Sequence, residues 1–580
     1  MAEKTWLTGK DAALEDSIER MFGLLKKHGF DIEEVRWFNP VPHVWSVHIR
    51  DRTCPMLFSN GKGTSRKAAL ASALGEFFER LATNFFFADF YLGEAVAHSE
   101  FVHYPNERWF AIAGDEIPAG LLDERLHAHY NPQGELTAPQ LIDINSGHAE
   151  RGICALPFRR QRDGATVYIP VNIIGNLYVS NGMAAGNTLY EARTQGLSEV
   201  LERYVKNRVI AEGLCLPDVP AEVLKRYPKV MRAIEQLEAQ GFPILVRDAS
   251  LGGQFPVMSV TLLNPENGGV LVSFGAHPSQ EVALERALTE LLQGRDLDQL
   301  DVSQPPTLDM DTVADPHNLE SHFIDSSGLI AWDFLGDKPD YAFCDWDFSG
   351  DTQSEFEWLV QLIHDQGFDI YIADYPQLGV YSCRILVPGM SEIYPVEELI
   401  ENNNNAGVFL RKSLLHLDKL SEEQCAELLA QLDEKGFNDM QPVAELLGLA
   451  ADAGSAWASL RIGELKAWLA LAIDDQETAL YWVKWTLHVG HLSAERTRLM
   501  RALQTLLEMT LSKYHQPDHF RRNLCRLVGE NAVAEAEAIL RGELKFAGLH
   551  SPGYRLEGLA RHANLLETYQ RLQRAKSLAK

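Results

Sequence analysis

Two segments of the sequence repeat the same glutamate spacing, and this spacing is the feature most able to do chemistry. Leu74–Asn84 reads LGEFFERLATN and Leu197–Asn207 reads LSEVLERYVKN, so both contain Leu-x-Glu-x-x-Glu-Arg-x-x-x-Asn without a gap. A glycine, Gly63 or Gly186, stands thirteen residues before the first Glu of each copy. Such an internal repeat indicates one structural unit used more than once.

A weaker third copy occurs further along the chain. It reads Leu288-x-Glu290-x-x-Gln293 and follows an apolar, strand-like stretch at Val270–Phe274 with Gly275. Its connector between glycine and helix is expected to be two residues longer than in the other copies. The sequence therefore predicts a strand, a glycine-containing turn and a helix, used three times.

Helical periodicity predicts which side chains share a face in each copy. Residues three or four positions apart lie on the same side of a helix. The predicted polar stripes are Ser72, Glu76 and Glu79 in copy one; Glu191, Gln195, Glu199 and Glu202 in copy two; and Arg286, Glu290 and Gln293 in copy three. The opposite faces are apolar and are expected to enter the core.

If the three units pack around one centre, six carboxylates converge there: Glu76, Glu79, Glu191, Glu199, Glu202 and Glu290. Like charges a few ångströms apart in a partly dry site repel each other, so a cation must compensate them. Hard divalent cations such as Mg²⁺ prefer oxygen ligands and often bridge to phosphate. Arg203 and Arg286 lie on or beside the stripes and could hold phosphate oxygens. We therefore expect a nucleoside triphosphate bound through Mg²⁺.

Other nucleotide and catalytic motifs do not fit. Asn60–Thr64 reads NGKGT, which lacks the spacing of a phosphate-binding P-loop, and no G-x-S-x-G nucleophile elbow is present. The seven cysteines are at least 39 residues apart, so no CxxC zinc or redox pair exists, and their sparse, odd number favours a reducing, cytoplasmic location.

Charge and composition narrow the classes of partner. The 580 residues include 81 Asp and Glu against 53 Lys and Arg, a net charge of −28. Such an excess argues against direct binding to nucleic acid or to an anionic membrane. No apolar run approaches the length of about 20 residues that a membrane helix needs.

The order of apolar patterns predicts an α+β fold followed by an all-α region. Residues 1–60 form an α/β segment that completes the nucleotide site, residues 61–405 form the repeat-containing domain, and residues 406–580 form a helical domain. Asn176–Val179 is among the expected strands. Leu465–Leu480 is typical of a tetratricopeptide-like helical hairpin, and such units need neighbours, so a homodimer through the C-terminal helices is expected.

Taken together, these motifs resemble the YcaO family over roughly residues 60–400. The motifs that carry the resemblance are Ser72-x-x-x-Glu76-x-x-Glu79-Arg80, Glu191-x-x-x-Gln195, Glu199-x-x-Glu202-Arg203, Arg286-x-x-x-Glu290 and Val387-Pro388-Gly389. The resemblance implies an ATP- and Mg²⁺-binding domain. It implies that the six glutamates bind Mg²⁺ and that the nucleotide contacts Lys10, Ser17, Ser72, Asn187, Gln195, Arg203 and Arg286.

The resemblance also implies an activity. Family members use ATP to phosphorylate a peptide amide oxygen, which activates the amide carbon. For this sequence the resemblance further implies assistance to a radical-SAM methylthiotransferase that modifies an aspartate of ribosomal protein S-twelve. Three alternatives stay open: a peptide cyclodehydratase, a nucleotide-stabilised scaffold without turnover, and an acidic helical adaptor without nucleotide.

Overall fold

The computed structural model describes residues 4–348, 350–512, 514–553 and 555–578. Its strands are β1 Ile32–Val41, β2 Val44–Asp51, β3 Phe58–Gly63, β4 Arg108–Phe110, β5 Ile153–Arg160, β6 Thr166–Pro170, β7 Met183–Gly186, β8 Ile244–Asp248, β9 Val257–Asn264, β10 Gly269–Ala276, β11 Tyr371–Asp374 and β12 Tyr381–Leu386. Helices of eight residues or more are α1 Leu14–Lys27, α2 Arg66–Ala82, α3 Leu189–Glu212, α4 Pro228–Ala239, α5 Gln280–Leu291, α6 Pro316–Ile324, α7 Thr352–Asp365, α8 Glu422–Glu434, α9 Ile462–Ala472, α10 Gln476–Val489, α11 Ala494–Leu511, α12 Arg521–Val528, α13 Glu530–Leu540 and α14 Ala560–Ser577.

The strands form three sheets, and each sheet contributes one strand to the predicted repeat. The sheet orders are β1-β2-β3, β10-β9-β8 and β4-β5-β11-β12-β7, with β6 paired to β5. Strands β3, β7 and β10 each lead directly into a long helix, namely α2, α3 and α5. The mixed fold with a helical C-terminal part confirms the predicted fold class.

The third strand–helix connection is longer than the other two, by one residue where two were expected. Residues 277–279 separate β10 from α5, whereas residues 64–65 and 187–188 separate the strand from the helix in the other two units. Gly275 corresponds in space to Gly61, and not to Gly63, because a Cβ at either Gly61 or Gly275 would collide with a helix carbonyl, that of Ala69 or of Ala283 respectively. Both glycines stand fifteen residues before the stripe glutamate of their own unit.

The strands of the first and third units pack on their helices in the same way. The Ser59 hydroxyl donates to the Ala73 carbonyl over 2.8 Å, and the Ser273 hydroxyl donates to the Ala287 carbonyl over 2.7 Å. The glycines on these strands allow this direct strand-to-helix contact.

In the second unit the small residues are exchanged between strand and helix. Ala184 takes the strand position of Gly61, and Gly196 takes the helix position of Ala73. Ala184 is fully buried. The second unit differs from the other two at this contact, because a Cβ at Gly196 would first meet the Ile385 side chain, at 3.1 Å.

The helix starts follow from the residue at each N-cap. Ser65 and Thr188 occupy equivalent N-cap positions, and their side chains accept from the backbone amides of Ala68 and Glu191. Ser279 takes the same position before α5. The Ser279 hydroxyl accepts no hydrogen bond from the described residues of the first turn. Short hydroxyl side chains satisfy the free amides of a first helical turn, so capping by side chains sets the starts of α2 and α3.

The apolar faces predicted for α2 and α3 are in the core. Leu74, Phe77 and Phe78 are fully buried, as are Leu197 and Leu201. The polar stripes of both helices must therefore face the opposite direction.

The C-terminal helices form a second core and return to the first. Helices α9 and α10 form an antiparallel hairpin where one was expected, although its tetratricopeptide character stays a prediction. The last helix, α14, packs Leu565, Tyr569 and Leu572 against the same core as α2. The N- and C-terminal parts are therefore joined by an apolar contact.

One expected strand was wrong. Asn176–Val179 follows a short helical turn, and residues 174–178 are wound as a π-helix. The Asn176 side chain donates to the backbone carbonyl of Asn172, which a strand would not allow. Within the described part of the chain, no helix has the length and apolar character that crossing a bilayer requires.

Candidate functional site

Helices α2, α3 and α5 direct their polar stripes into one cavity of about 880 Å³. The cavity is lined by every residue that the sequence singled out: Lys10, Ser17, Ser72, Glu76, Glu79, Asn187, Glu191, Gln195, Glu199, Glu202, Arg203, Arg286 and Glu290. The expected convergence of the three stripes is therefore present. Which ligand each residue binds stays a prediction.

Most of the six glutamates pair with a basic side chain. The nitrogen-to-oxygen distances are 2.5 Å for Arg80–Glu76, 3.0 Å for Arg203–Glu199, 3.2 Å for Arg286–Glu202 and 3.3 Å for Lys10–Glu191, and Lys62 contacts Glu290. The cavity lining therefore contains both carboxylates and basic groups. Such a lining suits a ligand with both signs of charge, such as a phosphate group with a bound metal ion.

Glu79 is the exception. Among the described side chains it has no Lys or Arg nitrogen within ion-pair distance. Burial, followed by the charges of Glu199 and Glu76, raises its pKa well above the usual range. Burial likewise raises the pKa of Glu76. A cation placed among these three carboxylates would relieve both effects.

The surroundings of Glu202 are more basic than those of Glu79. Burial raises the pKa of Glu202, but the charges of Arg286 and Lys62 outweigh burial and hold it below its usual range. Burial lowers the pKa of Lys62 and of Lys206 to about 8. The surroundings of Glu79 therefore favour a cation, and the basic groups beside Glu202 favour an anion.

Three guanidinium groups retain unused donors in this cavity. Arg80 Nε, Arg203 Nη1 and Arg286 Nε are buried and have no hydrogen-bond partner among the residues that the structure describes. Buried donors without an acceptor are rare, and anionic oxygens would satisfy them. Phosphate oxygens at the arginines together with Mg²⁺ at Glu79 therefore fit the residues present. The described residues contain no ready-made cluster of three carboxylate, imidazole or thiol groups at metal-binding distance.

The N-terminal segment closes one side of the cavity. The Ser17 hydroxyl donates to Asn187 Oδ1 over 2.9 Å, and the Asn187 amide donates to Glu191. The Asp11 backbone amide also donates to Glu191 over 2.9 Å. Glu191 thus fixes residues near the chain start to the beginning of α3.

Sequence reasoning missed several lining residues. Lys62 lies on β3 inside the NGKGT segment, which was rejected above as a P-loop. Its position directly before the repeat glycine Gly63 could have identified it as a cavity residue. Lys206, His277 and Phe323 also line the cavity. The Phe323 ring lies 4.4 Å from the Arg203 guanidinium carbon, a contact between distant segments that no local pattern indicates.

Comparison with known proteins identifies the family. Residues 60–391 match the family model described as YcaO cyclodehydratase, ATP- and Mg²⁺-binding, and residues 407–578 match the YcaO cyclodehydratase C-terminal domain. The expected cofactors, ATP and Mg²⁺, are thereby confirmed at the level of the family.

Two curated relatives extend over almost the whole chain. The Escherichia coli protein named ribosomal protein S12 methylthiotransferase accessory factor YcaO is 56% identical over 579 residues, 99% of each chain. A Haemophilus influenzae protein described as uncharacterized is 52% identical over 582 residues, again 99% of each chain. Among solved structures, YcaO from Methanopyrus kandleri bound with AMPPCP and Mg²⁺ is 19% identical, with a TM-score of 0.41 over 69% of this chain and 97% of that chain.

Proposed function

The chain belongs to the YcaO family, and from this premise we propose that the cavity between α2, α3 and α5 binds ATP through Mg²⁺ and uses it to modify a protein substrate. The observation that carries the proposal is the convergence of three equivalent helix faces on one cavity. Within the described part of the chain, their arginines leave donors without acceptors, and Glu79 has no Lys or Arg nitrogen at ion-pair distance.

In this proposal each side chain has a stated role. The carboxylates Glu76, Glu79, Glu191, Glu199, Glu202 and Glu290 hold Mg²⁺. The donors and acceptors that hold the nucleotide are Lys10, Ser17, Ser72, Asn187, Gln195, Arg203 and Arg286, and Arg80 joins them because its Nε is free.

Phosphoryl transfer depends mainly on the positioning of the reactants and on compensation of the phosphate charge, and it needs no nucleophile from the protein. When bound, ATP would supply its γ-phosphoryl group to an amide oxygen and leave as ADP, and the phosphorylated oxygen could then depart as phosphate. The chain's own residues place the phosphate oxygens against the arginines and compensate their charge. Residues of α1 and of the N-terminal segment line one side of the cavity.

We further propose that the substrate is ribosomal protein S12 and that the chain assists a radical-SAM methylthiotransferase acting on one of its aspartates. The name of the E. coli relative, at 56% identity over nearly the whole chain, supports the S12 part. The radical-SAM partner and the aspartate rest on the family resemblance alone.

Two physical properties complete the proposal. A homodimer through the C-terminal helices is supported by large exposed side chains there, including Tyr514 at 91% and Leu527 at 81% exposure. A cytoplasmic location is supported by the seven cysteines, none of which is in a disulfide.

The test measures thermal stability and turnover in the same preparation. A ligand that binds the folded state at a hundred times its Kd stabilises it by about 2.7 kcal/mol. We expect ATP with Mg²⁺ to raise the melting temperature, and each alone to raise it less. Phosphate release should increase when S12 is added, whereas a scaffold would show stabilisation without release.

The control variant is Glu427→Gln on α8, an exposed glutamate far along the chain from the cavity-lining residues. It should behave as the wild type in both assays. If ATP with Mg²⁺ gave no stabilisation, the nucleotide site would be wrong.

A further inference from the structure

The acidic excess of the chain is concentrated in one segment beside the cavity. Residues 296–351 contain fourteen Asp and Glu and a single basic residue, Lys338, so this segment carries −13 of the net charge of −28. The helical region 406–580 contains 22 Lys and Arg and 22 Asp and Glu and is neutral. Nearly half of the net charge thus lies in these 56 residues, and a general need for solubility does not explain that position.

Within this segment the chain exposes large apolar side chains among the acids. Leu308 is 80% exposed and Trp332 is 52% exposed. The two lie side by side, because the Thr307 amide donates to the Ile330 carbonyl and the Trp332 amide donates to the Thr307 carbonyl. Exposed apolar groups of this size, surrounded by charge, are typical of protein-binding surfaces.

Acidic side chains surround this pair. Asp333 and Met310 both pack at Gly213, which brings the short helix Met310–Val313 next to Trp332. We define the acidic face by its exposed residues: Leu308, Asp309, Asp311, Trp332, Asp333 and Asp337. Among the described side chains, none of its four aspartates has a Lys or Arg nitrogen within 4.0 Å.

Helix α6 connects the acidic face to the cavity. The Asn318 side chain accepts from the Leu329 amide and donates to the Val313 carbonyl, so α6 is fixed to both parts of the face. At the end of α6, residues 323–326 line the cavity. Lys206 donates to the His322 carbonyl over 2.6 Å and holds this end against α3.

We propose that the acidic face docks a basic segment of the protein substrate and leads the adjoining residues to the cavity. The occupant follows from charge and shape. Unpaired aspartates attract Lys and Arg, while Leu308 and Trp332 offer an apolar anchor at the centre. Nucleic acid and anionic membranes would be repelled. The inference rests on the proposed function only in taking the substrate to be a protein.

The test uses the full chain and two labelled probes, purified S12 and a short synthetic peptide rich in Lys, Arg and Leu. The test variant is Asp311→Asn/Asp333→Asn/Asp337→Asn, and the matched control Glu423→Gln/Glu427→Gln/Glu434→Gln on α8 makes the same change in charge. A second variant, Trp332→Ala, keeps the charge and removes the apolar anchor.

We expect the test variant to bind both probes about tenfold more weakly at low salt. This factor corresponds to the combined free energy of three exposed charge contacts. Binding to the wild type should weaken at about 0.15 M salt, where the screening length is about 8 Å, and the variant should depend less on salt. Trp332→Ala should weaken binding at both salt concentrations. ATP-dependent stabilisation should be unchanged in all variants.

Several results would overturn the inference. These are wild-type affinity in the test variant, an equal loss in the control variant, no binding of either probe to the wild type, or conversion of a dimer to a monomer by Trp332→Ala. The last result would make the face a contact between copies. Binding of the basic peptide through the face, without binding of S12, would support the inference and refute S12 as the substrate.

Discussion

Gly61 offers a sharp test of how the repeat positions the cavity. In Gly61→Ala the new Cβ would lie closer than 2.5 Å to two backbone atoms of α2, Ala69 O and Ala73 N. Ordinary contact begins at 3.4 Å. Because the clashing atoms are backbone, no side chain can rotate away, and α2 must move by about 1 Å from β3.

The expected cost has two parts. Overpacking of this kind destabilises by about 1–3 kcal/mol, and a change of about 2 kcal/mol lowers the melting temperature of a large domain by roughly 4–8 °C. The same shift displaces Glu76 and Glu79, which α2 carries. Since a misplacement of about 1 Å can cost about a hundredfold in a positioned site, we expect at least a tenfold loss in ATP affinity.

Calorimetric unfolding and ATP titration in the presence of Mg²⁺ measure both effects. Gly61 does not line the cavity, so any loss of affinity must pass through the position of α2. The matched control is Gly23→Ala in α1, where a Cβ meets nothing within 4 Å. This change should stabilise the protein by about 0.5–1 kcal/mol, because Ala favours a helix more than Gly does.

A double variant separates the backbone contacts from the side-chain contact. In Gly61→Ala the new Cβ would also lie 2.6 Å from the Ala73 Cβ, which Ala73→Gly removes. The contacts with Ala69 O and Ala73 N remain, so Gly61→Ala/Ala73→Gly should recover little of the lost affinity. If Gly61→Ala were as stable as the wild type and bound ATP equally, the close strand-to-helix contact would be refuted.

The remaining predictions concern the ligand, pH and assembly. Glu76→Gln or Glu199→Gln should reduce ATP affinity in the presence of Mg²⁺ at least tenfold by calorimetry, and an equal loss in Glu427→Gln would contradict the assigned roles. Burial lowers the pKa of His562 from 6.5 to about 4, so the unfolded chain binds more protons between these values. Stability is therefore lost as pH falls through this window, by about 2 kcal/mol at pH 5. The melting temperature of His562→Gln should fall less between pH 7 and pH 5, and an unchanged slope would refute this. At micromolar concentration the chain should sediment as a dimer, and a monomer would count against assembly through the C-terminal helices.

The features that followed from the sequence are those set by local periodicity. The position of Glu76 three residues before Glu79 fixes both on one helix face, whatever the rest of the chain does. The glycines before α2 and α3 marked where strand meets helix. Repetition of both signals was sufficient to predict the convergence of the stripes.

Long-range pairing was not predictable in this way. Lys62 on β3 contacts Glu290 on α5, and nothing in the sequence around Lys62 indicates that Glu290 is its partner. The sequence therefore suggested that metal alone compensates the carboxylates, whereas basic side chains compensate most of them.

The contacts of the asparagine run Asn402–Asn405 are another example. The run lies in a bend and turn, as its polar composition indicates. The Asn403 side chain donates to the Gln140 carbonyl, and the Asn405 side chain donates to the Ile142 carbonyl. Polar residues that bond across the fold have the same composition as residues exposed to solvent.

The central claim is that three equivalent helix faces bind one nucleotide through metal. Its most direct test is a crystal structure with a non-hydrolysable ATP analogue and Mg²⁺. The account predicts the phosphates at Arg80, Arg203 and Arg286, with Mg²⁺ at carboxylates that include Glu79. A nucleotide bound outside the cavity, or phosphates held without metal at these glutamates, would contradict it.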